Sequence, residues 1–294
     1  MERKKYIIFK DNYDLIEKIG SGSFGDVYLS LDKHKRLMMA TKVEERKSKK
    51  RTKLQLEEKI YNILHQKNIK YIPKIYRFIK TRKFHIMNIE LLGESLDVVF
   101  SNYKKRFNLG TVIKLGIDMI DILESVHDAG IIHRDIKPNN FMIGKNDISQ
   151  LYIMDFGLSK ILFKNGNHIK PANNRSMIGT ARYVGLNIHL GFEPSRRDDL
   201  ESIGYILVYF LKGSLPWQGL KKDKKTSQIE KIKIKKISTS LEQLCTGLPE
   251  CFKLFLQYVK SLEFYDRPDY KYLKNILLKE AKDNNVQIKY EWCK

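Results

Sequence analysis

The chain has 294 residues, and 55 Lys plus Arg against 34 Asp plus Glu leave a formal charge of +21. With 42% hydrophobic and 11% aromatic residues it carries the material for a packed core, which excludes a disordered or collagen-like chain. A chain of this length buries roughly three quarters of its unfolded surface, as one large domain or as two fused lobes.

The first ninety residues read as short strands interrupted by one helix. Leu15 to Gly20, Val27 to Leu31, Leu37 to Val43, Lys74 to Ile79 and Phe84 to Leu92 have the β-branched and aromatic content of strands. Between the third and fourth, Leu56, Ile60, Ile63 and Leu64 recur at i, i+4, i+7 and i+8, the stripe of an amphipathic helix with Glu57 on or beside its buried face. After Gly93 the pattern turns helical. Thr111 is expected to cap a helix with the stripe Leu115, Met119, Ile122, Leu123 and Val126, stopped by Gly130. A second helix is expected from about Asp198 through Leu211, a third over Glu250 to Lys260, and a fourth over Tyr270 to Lys282 behind Asp269 as cap. The expected class is α+β: a small β-rich lobe followed by a larger, mainly helical one. With no Ser/Gly linker, repeat or long tail in view, no separate regulatory domain is expected.

Other features narrow the setting. No apolar run approaches the roughly 20 residues that cross a bilayer; Ile203 to Leu211 is too short and holds Tyr205 and Tyr209. The four apolar residues before Lys10 make no secretory segment, and Glu2 excludes the myristoylation pattern. Cys245, Cys251 and Cys293 form no Cys-x-x-Cys pair, which fits a reducing, intracellular compartment, cytoplasm or nucleus. The histidines at 34, 65, 85, 127, 133, 168 and 189 never fall into a ligand-spaced cluster, so no built-in transition-metal site is expected. Basic residues concentrate in Arg46 to Arg51, Lys221 to Lys225 and Lys231 to Lys236 with few aromatics among them. They read as solvated surface that attracts anionic partners rather than as dedicated nucleic-acid recognition.

The chemistry lies in motifs spread along the chain. Gly20-Ser21-Gly22-Ser23-Phe24-Gly25 stands between two expected strands, either as a tight turn or as a hairpin whose backbone N–H groups cover phosphate oxygens. Lys42, in an apolar strand, either snorkels into a surface salt bridge or pairs with Glu57 and is aimed at nucleotide phosphates. His133-Arg134-Asp135-Ile136-Lys137-Pro138-Asn139-Asn140 follows the first long helix, and Asp155-Phe156-Gly157 follows the apolar run Leu151 to Met154. In this order and spacing the set resembles the eukaryotic protein kinases.

That resemblance implies phosphoryl transfer from ATP. Asp135 would orient the attacking hydroxyl and take its proton, Lys137 would steady the migrating phosphoryl group, and Asn140 with Asp155 would hold Mg2+. Lys137, two residues after the Asp, points to serine and threonine as acceptors. His133 is expected to pack beneath the metal-binding loop and His127 to be an ordinary helix histidine.

Gly179 to Gly191 replaces the usual Ala-Pro-Glu. Together with Glu193-Pro194-Ser195-Arg196-Arg197-Asp198-Asp199, Gly213 to Leu220, Leu91 to Leu96 and Asp266 to Tyr270, it is similar to the casein kinase 1 family. The likeness runs over a catalytic domain of 13–278, with an N-lobe of about 1–88, a hinge at 89–93 and a C-lobe at 94–294. It implies adenine held by Ile19, Val27, Ala40 and Met142, Ile89 as gatekeeper, hydrogen bonds from backbone groups of Glu90 and Leu92, and Asp199 bracing the catalytic loop. Substrates would be acidic or already phosphorylated proteins, met by a monomer. Arg182 stands at the principal anion-binding position. Gln228 replaces its usual lysine companion, with Lys224 or Lys225 near enough to compensate. A second basic cluster would comprise Arg134, Lys160 and Arg175.

Overall fold

The computed structural model describes residues 13–22, 25–46, 52–221 and 226–293. Five strands form one antiparallel sheet: β1 (Tyr13–Gly22), β2 (Gly25–Asp32), β3 (Leu37–Glu45), β4 (Ile75–Lys80) and β5 (Phe84–Glu90), in spatial order β1-β2-β3-β5-β4. Their β-branched and aromatic side chains suit a pleated, half-buried surface. Lys42 pairs across the sheet with Val27 on one side and Met87 on the other, so its side chain rises from the middle of the lobe.

Helix α1 (Lys53–Gln66) crosses between β3 and β4. Thr52 caps it, accepting from the Gln55 N–H while Gln55 reaches back to the Thr52 N–H, a reciprocal arrangement that satisfies two donors the helix cannot satisfy itself. The buried face differs from the expected stripe. It is Leu54, Glu57, Ile60, Tyr61 and Leu64, with Leu56 and Ile63 only partly covered. The face is rotated because Tyr61 packs edge-on against Phe156 at 5.1 Å, a long-range contact that periodicity does not contain.

The larger lobe holds α2 (Leu96–Asn102), α3 (Leu109–Asp128), α4 (Leu186–His189), α5 (Arg196–Lys212), α6 (Gln228–Ile237), α7 (Leu241–Cys245), α8 (Glu250–Ser261) and α9 (Tyr270–Asp283). Short two-stranded ladders join β6 (Ile131–Ile132) to β9 (Lys160–Ile161), β7 (Phe141–Ile143) to β8 (Leu151–Ile153), and β10 (Phe163–Lys164) to β11 (Asn167–His168). The spacing misplaces the start of α3. Asn108, not Thr111, is the cap, and its side chain accepts the Thr111 N–H at 2.8 Å. Helix α5 likewise starts at Arg196, with the Ser195 N–H donating to Asp198 at 2.8 Å. Helices α3, α5, α8 and α9 pack on one another around fully buried residues such as Leu115, Leu123, Ile203, Leu207, Phe255 and Leu277. Burying each such side chain contributes roughly 1.5–3 kcal/mol, which makes this bundle the rigid support for the loops above it.

Candidate active site

A cleft of about 520 Å3 separates the sheet from the helices. From the sheet it receives Ile19, Gly20, Ser21, Gly25, Val27, Ala40, Lys42 and, at the end of β5, Ile89 and Glu90; from the connection after β5 it receives Leu92, from α1 Glu57, and from the larger lobe Met142, Asn140 and Asp155. Gly22 closes β1 opposite Gly25, while Ser23 and Phe24 lie outside the described residues. Ile19 is 46% exposed, so it is a lip of the cleft and not core. Pro73, Met87 and Met154 line the cleft as well, and none belongs to a motif that would have announced it. Gly25 has φ +132°, and a Cβ there would sit 2.0 Å from the Val43 carbonyl oxygen. Only glycine lets the hairpin lie this close to β3.

Lys42 does not snorkel. It is 8% exposed, and its Nζ donates to Glu57 Oε2 at 2.6 Å and to Asp155 Oδ1 at 3.1 Å. Burial opposes the ammonium charge, but Glu57 and Asp155 outweigh it and hold the Lys42 pKa above the ordinary lysine value. Burial raises Glu57 to about 7 against the pull of Lys42. For Asp155, Lys42 wins over burial and the pKa is lowered. Among the described residues Glu57 Oε1 has no hydrogen-bond partner. One strand, one helix and the Asp-Phe-Gly turn therefore share a buried cation.

Asp135 is held from both sides. Lys137 Nζ donates to its Oδ2 at 2.5 Å, Thr180 Oγ1 donates to its Oδ1 at 2.7 Å, and the Asn140 side-chain amide donates to its backbone carbonyl at 2.8 Å. The loop that carries Asp135 is strained at Arg134, which adopts φ +67°, a region non-glycine residues rarely occupy; Asp155, in the Asp-Phe-Gly turn, does the same at φ +68°. Asp199 offsets the strain at Arg134. Its carboxylate accepts the His133 N–H at 2.7 Å and the Arg134 N–H at 2.9 Å. Burial would raise the Asp199 pKa, but the hydrogen bond from His127 and the His133 contacts pull it below the usual carboxylate value. His127 is thus more than an ordinary helix histidine: it is buried and spans Asp199 at 3.0 Å and the Tyr270 hydroxyl at 2.7 Å. His133 is fully buried, with Nε2 at 3.0 Å from the Met154 carbonyl oxygen.

The residues that could meet a cation are Asn140 and Asp155. The Met154 N–H donates to the Asn140 backbone carbonyl at 2.9 Å, which ties the two loops together. With the Asn140 amide nitrogen turned toward Asp135, its side-chain oxygen and the Asp155 carboxylate form an all-oxygen donor pair. Such a pair fits a hard divalent ion that completes its shell with water and phosphate oxygens. Among the described residues no group of three or more His, Cys, Asp or Glu could hold a metal unaided.

The basic residues divide into two places. Arg182 lies over the Tyr183 ring at 5.6 Å and the Tyr209 ring at 6.0 Å, two residues beyond Thr180. Arg134, Lys160 and Arg175 do converge, around a separate cavity of about 830 Å3, but they close on the chain's own Glu193 at 3.7, 2.7 and 3.3 Å. Lys224 and Lys225 fall outside the described residues, as does most of the run Arg46 to Arg51, and Gln228 is the exposed first residue of α6. The run Lys231 to Lys236 is not all solvated surface, since Lys236 is 5% exposed. Sequence reasoning missed Thr180, Glu193 and Lys236 as members of these clusters. Thr180 alone left a signal, as the residue after Gly179, whose φ of +89° and clash distance of 2.4 Å to the Arg134 carbonyl oxygen mark a close approach of two loops.

Compared with known families, the chain matches the protein kinase domain over residues 13–279. That span includes the sheet, the cleft, both loops that carry Asp135 and Asp155, and nearly all of the helical bundle.

Proposed function

Because the chain belongs to the protein kinase family and has its two-lobed fold, we propose that it is a serine/threonine kinase of casein kinase 1 type. In this reading it transfers the γ-phosphate of ATP, with Mg2+, to hydroxyls of acidic or pre-phosphorylated proteins. The observation that carries the proposal is the Asp135 carboxylate, held between Lys137 and Thr180 beside a cleft whose far wall presents the Lys42 ammonium.

The chain's residues divide the work of an in-line displacement. Asp135 accepts the hydrogen bond of the substrate hydroxyl and takes its proton as the new P–O bond forms and ADP leaves. Lys137, hydrogen-bonded to the same carboxylate, faces charge that builds on the transferred group, while Lys42 orients the phosphates behind it. Asn140 and Asp155 would hold magnesium, which supplies charge neutralisation on the phosphate oxygens when bound. The choice of serine and threonine rests on Lys137, two residues after Asp135, as in the serine/threonine kinases this chain resembles.

Selection of acidic substrates rests on the charge of +21, on Arg182, and on the likeness to casein kinase 1 in the segments 179–202 and 213–220. Because Arg134, Lys160 and Arg175 already share Glu193, Arg182 is the anion anchor we favour, with Lys224 or Lys225, close to Gln228 in sequence, as its candidate companion.

The direct test incubates purified protein with ATP, magnesium and casein and identifies the modified residue. Phosphoserine and phosphothreonine are expected; no transfer, or phosphotyrosine alone, overturns the reading. For the anchor, Arg182→Ala is expected to lower kcat/KM about tenfold for a phosphopeptide, the worth of one charge-assisted hydrogen bond, and clearly less for a plain acidic peptide. Equal losses on both peptides would remove Arg182 from that role.

A further inference from the structure

Lys236 is a buried lysine that makes no ion pair among the described residues. It stands on the last turn of α6, 5% exposed, and among the described residues no carboxylate comes within ion-pair distance of its ammonium. Its Nζ donates to the Val184 carbonyl at 2.5 Å and lies 4.9 Å from the Tyr205 ring centre and 5.0 Å from that of Trp217. Those two rings meet edge to face at 5.0 Å. The nearest carboxylate that acts on it electrostatically, Glu201, is taken by the Tyr205 hydroxyl at 2.6 Å and Lys260 at 3.0 Å. Burial accordingly pulls the Lys236 pKa down, to about 7. The cage supplies one carbonyl and two π faces, enough to keep an ammonium but at a cost in stability that an apolar side chain of the same length would not carry.

The same cage makes a second bond to the same strip of chain. Trp217 Nε1 donates to the Arg182 carbonyl at 2.7 Å. The backbone on either side of Tyr183 is thus gripped at Arg182 by the indole and at Val184 by the ammonium, while Tyr183 itself is 2% exposed. This strip begins two residues after Thr180, whose hydroxyl bonds Asp135 at 2.7 Å. The two carbonyl anchors fix both the height of the strip and the direction of the Arg182 guanidinium, which also donates to the Tyr183 hydroxyl at 3.4 Å and lies over the Tyr183 and Tyr209 rings.

We propose that Lys236, acting with Trp217, is a positioning residue that sets the Arg182–Val184 strip as the platform on which the acceptor peptide lies. The proposal deepens the kinase reading and rests on it for the identity of the peptide as an acidic serine peptide. A buried, unpaired ammonium that served stability alone would be a poor choice, because replacing it with a hydrophobe would be neutral or stabilising. Its placement at this carbonyl fits a role in binding.

The experiment compares wild type, Lys236→Met and Trp217→Phe. It measures thermal midpoint, KM for ATP, KM for an acidic serine peptide, and direct binding of the same fluorescein-labelled peptide by anisotropy. Lys236→Met is expected to keep or raise the midpoint, leave the ATP KM unchanged, and weaken peptide binding about tenfold, the loss of one charge-assisted hydrogen bond. Trp217→Phe, which keeps a ring and deletes the N–H donor, is expected to weaken the peptide in the same direction. Unaltered peptide affinity in both variants overturns the proposal. So does a Lys236→Met protein that melts well below wild type or fails to fold, since that makes the lysine structural. A wild type that binds no acidic peptide also overturns it. If wild type binds the peptide but transfers no phosphate, the kinase reading falls while the platform is still decided by the anisotropy data.

Discussion

Asp135→Asn is expected to reduce kcat by about 10²–10⁴-fold, the range that a positioned proton acceptor contributes, with KM for ATP nearly unchanged. The asparagine oxygen can still accept from Thr180, which bonds Oδ1 at 2.7 Å, so that loop contact survives. On the other side the new amide would face Lys137 Nζ, now at 2.5 Å, donor against donor. The acceptor of the hydroxyl proton is lost and Lys137 is released, so the damage falls on the chemical step. The cleft residues that line the nucleotide side, from Ile19 to Met142, are untouched, and binding of ATP followed by fluorescence of a labelled analogue should be retained. An Asp135→Asn variant that phosphorylates casein at the wild-type rate would remove Asp135 from the chemistry altogether.

Much of the architecture was legible because it is local. Strands β1 to β5 and the long helices α3, α5, α8 and α9 follow from alternation, from i, i+4 stripes and from caps such as Asp269, which accepts the Tyr272 N–H at 2.8 Å. The short helices were not legible. Helix α6 reads Gln-Ile-Glu-Lys-Ile-Lys-Ile-Lys-Lys-Ile, nearly a strict alternation of isoleucine and lysine, so a solvated charge run is the natural expectation. Only tertiary contacts decide otherwise: Lys236 is drawn inward by the Val184 carbonyl, while Ile234 and Ile237 are left more than half exposed. Asn108 and Thr111 both have side chains able to cap, so the sequence alone does not separate them, and the choice of Asn108 depends on which turn docks.

The site shows the same division. The motif residues announce themselves, and the chain folds Lys42 onto Asp155 across a separation of 113 residues. What spacing does not carry is which partner a charged residue chooses. Arg134, Lys160 and Arg175 read as a place for a substrate's anion, yet the fold brings Glu193 into their midst with only 4% of its surface exposed. His127 carries no motif at all, and it becomes part of the Asp199 brace because α3, α5 and the start of α9 meet at one point, where it touches both Asp199 and Tyr270.

Lys42→Met is expected to lower kcat/KM by about 10²–10³-fold, the cost of deleting one preorganised charge at a phosphoryl site. Glu57→Gln should cost less but change the pH dependence. In the wild type Glu57 titrates near 7 because burial works against its charge, whereas an isolated glutamate ionises near 4.5. The neutral acid cannot form the ion pair with Lys42, so the ordered arrangement of Lys42 and its 2.6 Å partner is favoured as pH rises through about 7 and weakened below it. Activity at limiting ATP is therefore expected to climb between pH 6 and 8 in wild type, about tenfold for one ionisation, since each pH unit below the pKa reduces the charged form tenfold. Glutamine does not ionise, and its variant should show a flatter rise over that interval from a lower plateau. The stability of the fold should respond in the opposite sense. A carboxyl whose pKa is raised on folding favours the protonated form, so its contribution is fully present below about 4.5 and is lost as pH climbs toward 7, and Glu57→Gln should remove that decline. Identical pH–rate profiles for the two proteins would mean that the Lys42–Glu57 contact does not govern how the ammonium meets the nucleotide, and that Asp155 alone suffices to hold it.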